Sequence, residues 1–352
     1  MAEPEPRFDA KKVRATIEKG RRDKWWTRKG RSAKSFRYFD AAKQQILDDE
    51  IVGRIRSLAI PPAWKFVRIC PSPSGKLQAV GMDKSGRIQY LYHPKFAAKQ
   101  QALKFSKVRR FGESLPKLLQ AANEDIARDG LQKEKVLAVV MRLINSLYFR
   151  VGTDLSVREY KTFGITTLLK RHLTIGRNGK LEFAFTGKSH IFHRKVLVDA
   201  GLAKIIKNIS VLGRGKKLFH FVDEDGKARP VTPAQINAYL KSAMGSEFSA
   251  KDFRTWGATV LTAVEFASRG PCETEAESKK VIVRVVSRVA RELGNTPAVC
   301  RGSYIHPAVI SAYTDGTTID KFRPRRTRKI SRNAPDLEPE EKALLKLLAS
   351  CG

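Results

Sequence analysis

The chain has 352 residues, 42% hydrophobic and 9% aromatic, which allows two or three domains with a sizeable core and argues against disorder throughout. No run approaches the roughly eighteen uncharged apolar residues of a membrane helix, and the opening MAEPEPRFDAKK has no apolar signal core, so neither a membrane span nor export is expected. Lys and Arg number 68 against 35 acidic residues, a formal charge of +33 spread along the chain, which favours a polyanionic partner, nucleic acid first, over a membrane surface.

Residues 1–35, with Gly20-Arg21-Arg22 and Arg28-Lys29-Gly30-Arg31, are polar and aperiodic and read as a flexible basic arm. After Phe36 the stretch AAKQQILDDEIVGRIRSL predicts a helix with Asp48, Asp49 and Glu50 on its solvated face. Pro61-Pro62 must end it, because proline lacks the amide hydrogen and fixes φ. The β-prone runs WKFVRIC, KLQAVGM and RIQYLYH, separated by SPSG and DKSG turns, predict a small antiparallel sheet. The first domain is therefore expected over 36–96.

A mainly helical second domain is expected over 97–334. EKVLAVVMRLINSLYFRVG is apolar at helical spacing and predicts a buried helix ending near Gly152, with Arg150 at its end. LEFAFTGKSHIFHRKVL alternates around a turn that puts Lys188 at a hairpin tip. FVDEDGKARPV, with Asp223, Glu224 and Asp225, reads as a second hairpin turn and not as a metal cluster. Ser249 and Asp252 have capping-box spacing before the helix DFRTWGATVLTAVEF, which places Lys251 and Arg254 on one face near its start. ESKKVIVRVVSRVARELG is a helix stopped by Gly294. NTPAVCRGSY reads as a loop to Tyr304, followed by the basic arm 321–332 and a C-terminal tail, 335–352, with a short helix EEKALLKLLAS. The fold class is α+β, a small antiparallel sheet with helices followed by a mainly α-helical domain.

Cys70, Cys272, Cys300 and Cys351 form no CxxC pair, against a disulfide framework or structural zinc and in favour of a reducing cytoplasm. His190 and His193 lack further ligands at metal spacing and read as surface or DNA-facing. Lys188 lies in a Gly-Lys-Ser triplet, but Glu182 stands where a phosphate loop needs its first glycine. No cofactor and no metal are expected.

The run PPAWKFVRICPSPSGKLQAVGMDKSGRIQYLYHP, with RVG at 150–152, TGKS at 186–189, KDFRTWG at 251–257 and NTPAVCRGSY at 295–304, closely resembles the type IB DNA topoisomerases of bacteria and poxviruses, from about Phe36 to Tyr313. The resemblance implies that Tyr304 attacks a DNA phosphodiester to leave a 3′-phosphotyrosyl bond and a free 5′-hydroxyl. Strand rotation and rejoining would follow without ATP or metal. The phosphorane gains negative charge and a phenol ordinarily titrates near 10, so fixed cations are required. By the same resemblance Arg150 and Arg254 would bind the non-bridging oxygens, and Lys188 would protonate the departing 5′-oxygen, which arginine could not do. Lys251 looks like the family's further lysine, assisting proton transfer or holding the groove. Asn295 stands where many members carry histidine; an amide can donate one hydrogen bond but cannot titrate.

Gln89, Tyr90 and Tyr92 match a strand that in the family faces the major groove, and alternation puts both tyrosines on one face. The implied assembly is a cytoplasmic, nucleoid-associated monomer clamping double-stranded DNA. A tyrosine recombinase is the enzymatic alternative, but its His-x-x-Arg marker is replaced here by Lys251-Asp-Phe-Arg254. A chromatin-like DNA binder would explain the charge without needing the ordered arginines, lysine and tyrosine.

Overall fold

The first unit of the chain, residues 1–103, is built on five strands. In the computed structural model the described residues are 10–84, 86–213, 215–322 and 336–351. The elements run α1 (Ala10–Glu18), β1 (Trp26–Lys29), β2 (Arg37–Phe39), α2 (Asp49–Ser57), β3 (Lys65–Ile69), β4 (Leu77–Met82) and β5 (Ile88–Tyr92). The strands pair antiparallel in the order β2-β1-β3-β4-β5. Successive side chains of a strand face opposite ways, and both faces are used: Val67, Ile69 and Ala79 pack with Ile55 of α2, while Val80 and Met82 pack with Ile17 of α1.

Two expectations for this unit are corrected. Residues 10–35 are not a free arm, since α1 buries Ile17 and β1 is an interior strand of the sheet. Two arginines tie this segment to the sheet through backbone carbonyls, which a hydrophobicity reading does not register. Arg28 donates to the carbonyls of Ile60 (3.1 Å), Pro61 (3.1 Å), Pro62 (3.4 Å) and Trp64 (2.8 Å), and Arg68 to those of Asp23 and Trp25. Residues 1–9 of that arm lie outside the described residues. The helix expected from Phe36 onward is only α2. Asp48 is its N-cap, accepting from the Ile51 amide at 2.9 Å, and Asp49 and Glu50 fill its first turn, where the helix dipole favours carboxylates. The acidic triplet is solvent-exposed, as expected, and marks the start of the helix.

The second unit, residues 104–352, begins within α3 (Pro94–Ala127). It continues through α4 (Lys133–Leu147), α5 (Asp154–Tyr160), β6 (Leu173–Ile175), β7 (Lys180–Thr186), β8 (Phe192–Val198) and α6 (Ala200–Val211). The hairpin β9 (His220–Val222) and β10 (Ala228–Pro230) follows, then α7 (Pro233–Met244), α8 (Asp252–Arg269), α9 (Glu275–Leu293), α10 (Pro297–Ser303), α11 (Pro307–Thr314) and α12 (Pro339–Ser350). Strands β6, β7 and β8 form one antiparallel sheet. The α+β class with a mainly helical second unit is as the sequence indicated. Helix α8 is the axis of this core: Phe253, Trp256, Ala258, Thr259, Ala263 and Phe266 are buried along it.

Here too there are corrections. Helix α4 stops at Leu147, because Tyr148 turns left-handed (φ 54°), and Arg150 lies beyond the helix. Residues 297–303 are helical, with Thr296 as N-cap accepting from the Val299 amide (3.3 Å) and Pro297 in the first turn, a start signal present in the sequence. The final helix is no tail, since Leu344 and Leu347 of α12 are buried in the main core and Glu341 accepts from the Trp256 indole at 2.9 Å. Of the basic stretch 321–332, residues 323–332 lie outside the described residues.

Arg28→Ala should remove a donor from four carbonyls, of which Pro61 O keeps a backbone donor, the Trp64 amide at 3.1 Å, and lower the stability of the first unit by about 2 kcal/mol, on the scale of charged hydrogen bonds. Urea unfolding followed by tryptophan fluorescence reads this unit, because Trp25, Trp26 and Trp64 lie in it. An unchanged midpoint would mean that β1 contributes no more than an arm.

Candidate active site

Helix α9 ends at Gly294, whose φ of 61° is left-handed and whose missing side chain makes room for His193: a Cβ there would lie 2.2 Å from His193 Cε1. The last-turn carbonyls of a helix lack intrahelical donors and carry its negative dipole end. Three cations take up three successive carbonyls at this end. Lys195 donates to Glu292 O at 3.0 Å, Arg254 to Leu293 O at 2.6 Å, and Arg150 to Gly294 O at 3.2 Å. Two arginines from distant parts of the chain are thereby held together despite mutual repulsion. Arg254, only 4% exposed, also donates to Tyr148 O at 2.7 Å. Burial and then Arg150 pull its guanidinium down to about 10, against the opposite pull of Tyr304, so it remains a cation near neutral pH. Burial lowers Arg150 as well.

The backbone around Arg150 is fixed by a close approach of two loops. The amides of Ile165 and Thr166 donate to Arg150 O (2.8 Å) and Val151 O (2.9 Å). Gly152 is left-handed at φ 83°, and a Cβ on Gly164 would lie 2.5 Å from Gly152 N and 2.6 Å from Arg150 O. The early stop of α4 has the same purpose in space: it turns the Tyr148 carbonyl to Arg254, and the Tyr148 ring fills the space beside Gly257, where a Cβ would lie 2.1 Å away.

Asn295 completes this cluster. Its Oδ1 accepts from Arg150 at 2.6 Å, while its Nδ2 is buried without a hydrogen-bond partner, as is Nε of Arg254. Buried donors left unpaired are costly, and an incoming anion would satisfy them. Tyr304 caps the C-terminus of α10, half-buried, with the Arg254 guanidinium carbon 5.5 Å and Lys104 Nζ 5.4 Å from its ring centroid. Thr259 of α8 accepts from the His306 amide at 3.1 Å and so anchors the backbone just past Tyr304. The structure therefore brings Arg150, Arg254, Asn295 and Tyr304 into one place.

Other expected site residues lie apart from this cluster. Lys188 is exposed at the β7–β8 hairpin tip, between Gly187 and the left-handed Ser189 and His190 (φ 63° and 56°), and its ammonium makes no hydrogen bond or ion pair among the described residues. Lys251 is exposed at the N-cap of α8, in contrast to buried Arg254. In the first unit Tyr90 and Tyr92 are 42% and 46% exposed, their rings stacked 6.4 Å apart on one face of β5, and Gln89 donates to Asp83 at 2.8 Å. His190 is exposed. His193 is not a surface residue, being half-buried and stacked on Phe185 at 5.2 Å.

Residues 93–330 match the family model of the eukaryotic DNA topoisomerase I catalytic core, and residues 35–83 that of the bacterial DNA topoisomerase IB N-terminal domain. The chain belongs to the type IB DNA topoisomerases. DNA topoisomerase 1B of Acanthamoeba polyphaga mimivirus is 31% identical over 288 residues, covering 78% of this chain and 83% of that protein. DNA topoisomerase 1B of vaccinia virus (strain Copenhagen) is 22% identical over 246 residues, 70% of this chain and 75% of that one. DNA topoisomerase 1 of rabbit fibroma virus is 25% identical over 257 residues, 70% and 76% respectively.

Several residues that build this topoisomerase's site were not singled out from sequence. Gly164, Tyr148, Lys195 and Thr259 act through backbone contacts that no local motif reports. Lys104 is hidden in KFAAKQQALKFSKVRR, where cations recur too often for one to stand out.

Gly164→Ala drives a Cβ into backbone, which no side-chain rearrangement can relieve. It should shift the Arg150 loop and slow single-turnover strand cleavage by about tenfold or more, the scale on which ångström displacements around a reacting centre act. DNA affinity should change little, because the many surface cations are untouched. Cleavage at the wild-type rate would show that the close loop contact does not position Arg150.

Proposed function

We propose that Tyr304 is the nucleophile of this DNA topoisomerase, and that Arg150, Arg254 and Asn295 form the oxyanion site around the attacked phosphate. The observation that carries this reading is the cluster at the end of α9, with two guanidiniums and an unpartnered amide donor beside the tyrosine. In the reaction, Tyr304 Oη bonds to phosphorus and the bond to the 5′-oxygen breaks. One proton leaves the phenol and one enters at the 5′-oxygen, giving a 3′-phosphotyrosyl strand and a 5′-hydroxyl. Rotation of the free end changes linking number, and the reverse attack reseals the strand.

Lys188, as the ammonium on an exposed hairpin, is the proton donor to the 5′-oxygen in this reading, since lysine can release a proton where arginine does not. Lys251 assists at the groove. The exposed stacked face of Tyr90 and Tyr92, with Gln89, is assigned to the major groove, and phosphate contacts from the many Lys and Arg supply sequence-independent grip. We further propose that the chain works as a monomer clamping the duplex, on the chromosome in a bacterial cytoplasm. The match of residues 35–83 to a bacterial domain supports the bacterial setting, and the charge of +33 the grip on DNA.

Relaxation of supercoiled plasmid in chelator and without ATP tests the reaction. Both positive and negative supercoils should be removed, and a strict need for Mg²⁺ or ATP would overturn the mechanism. Tyr304→Phe should bind DNA as wild type and form no covalent adduct, and Arg254→Ala should cleave at least about 10²-fold more slowly, the usual loss for one transition-state donor.

A substrate with sulfur in place of the bridging 5′-oxygen separates the two remaining roles. Sulfur leaves without needing a proton, so this substrate should rescue Lys188→Ala, while Asn295→Ala should stay slow because the non-bridging oxygens still need their donor. Rescue of both variants, or of neither, would overturn this division of roles between Lys188 and Asn295.

A further inference from the structure

Two cations stand over the Tyr304 ring among the described residues, Arg254 and, slightly nearer, Lys104 on α3. Its ammonium donates to the carbonyl of Ser303, the last residue of α10, and stands 5.4 Å from the Tyr304 ring centroid. Carbonyls in the last turn of a helix have no intrahelical donor, so Lys104 acts as the C-terminal cap of α10 one residue before the tyrosine. Phe105, next to it, is buried edge-on against His306 at 5.3 Å. Lys104 is therefore tied to both sides of the nucleophile's peptide segment, at Ser303 directly and at His306 through its neighbour.

We propose that Lys104 is a positioning residue for Tyr304: by bridging the Ser303 carbonyl and the tyrosine ring, its ammonium fixes the phenol's orientation and favours the negative charge that develops there during attack. The proposal rests on Tyr304 being the nucleophile. A cation over an aromatic face is attracted to the ring, and the attraction grows as the phenol becomes a phenolate. Arg254, on α8, acts on the same ring from 5.5 Å but is held by two carbonyls, whereas the lysine, which also stands 5.2 Å from the Phe105 ring, has the Ser303 carbonyl as its one hydrogen-bond partner among the described residues.

The charged groups around Lys104 make its own protonation accessible to experiment. On α8, Lys251 opposes its charge and Asp252 supports it, although Asp252 is shared with Lys107 of α3 at 2.7 Å and with the Ser249 hydroxyl at 2.9 Å. At the start of α11, His306 is pushed toward its neutral form by burial. Burial first and then Lys251 bring the Lys104 amine down to about 8, so it is protonated near neutral pH and loses its charge above that value. An arginine at this position would keep its charge throughout.

Single-turnover cleavage by the full-length enzyme, measured across pH on a duplex that traps the covalent adduct, tests this with Lys104→Met, Lys104→Arg and wild type. Near neutral pH, Lys104→Met should cleave about tenfold more slowly, the effect of removing one favourable cation–ring contact in a desolvated site, with DNA affinity unchanged. Lys104→Arg should retain most of the rate. Above about 8 the methionine deficit should shrink, because the wild-type amine is then neutral too, and the arginine variant should gain on wild type. A deficit independent of pH and equal in both variants would mark a merely structural lysine and overturn the proposal. Comparison of the arginine variant with wild type carries the test by itself if the methionine variant fails to fold. An adduct formed by Tyr304→Phe in the same assay would instead overturn the nucleophile assignment, so the two failures are distinct.

Discussion

The site depends on the C-terminal end of α9 and the carbonyls it leaves open. Bringing the Arg254 and Arg150 guanidiniums together and burying one of them is unfavourable by desolvation and by repulsion. The carbonyls of Glu292, Leu293 and Gly294, each with a cationic donor at 2.6–3.2 Å, offset this with charge-assisted hydrogen bonds at the negative end of a helix dipole. Removal of any of these donors leaves a carbonyl unpaired and frees its neighbours to separate. The arginines are thus fixed before a phosphate arrives, which is the condition for electrostatic stabilisation without reorganisation.

The same constraint explains the behaviour of Asn295. Its carbonyl oxygen is occupied by Arg150, so only the amide nitrogen is left to face a substrate oxygen. The imidazole packed on Gly294 adds no group that titrates near neutral pH. His193 is pulled down to about 4, by burial first and then by Lys195, Arg150 and Arg254, and stays neutral under working conditions. Fixed charge and neutral donors gather around α9, while the unpaired ammonium of Lys188 sits on an exposed hairpin.

Some of this was legible in the sequence for local reasons. The strands β3, β4 and β5, the β7–β8 hairpin, and helices α8 and α9 follow from periodicity and turn residues, and five motifs in one order identified the family and with it Tyr304, Arg150 and Arg254. Two of the misreadings had local cures. The triplet Asp48-Asp49-Glu50 is a helix start, and Thr296-Pro297 is an N-cap followed by a first-turn proline. Others had none. Residues 10–35 look like a basic arm until Arg28 and Arg68 are seen to be satisfied by carbonyls more than thirty positions away, and hydropathy has no way to register that.

By itself, then, the sequence determined the class of fold, the family and the order of the chemical groups along the chain. Only the tertiary structure decided that Arg150 leaves its helix, that Gly164 must be glycine for a backbone contact, that the last helix belongs to the core, and that Lys104 meets the Ser303 carbonyl beside Tyr304. The division has a physical reason. Hydrophobic period, caps and turns are set by neighbours along the chain, whereas a buried cation is acceptable only where carbonyls from distant segments converge on it, and that convergence exists only once the chain has folded.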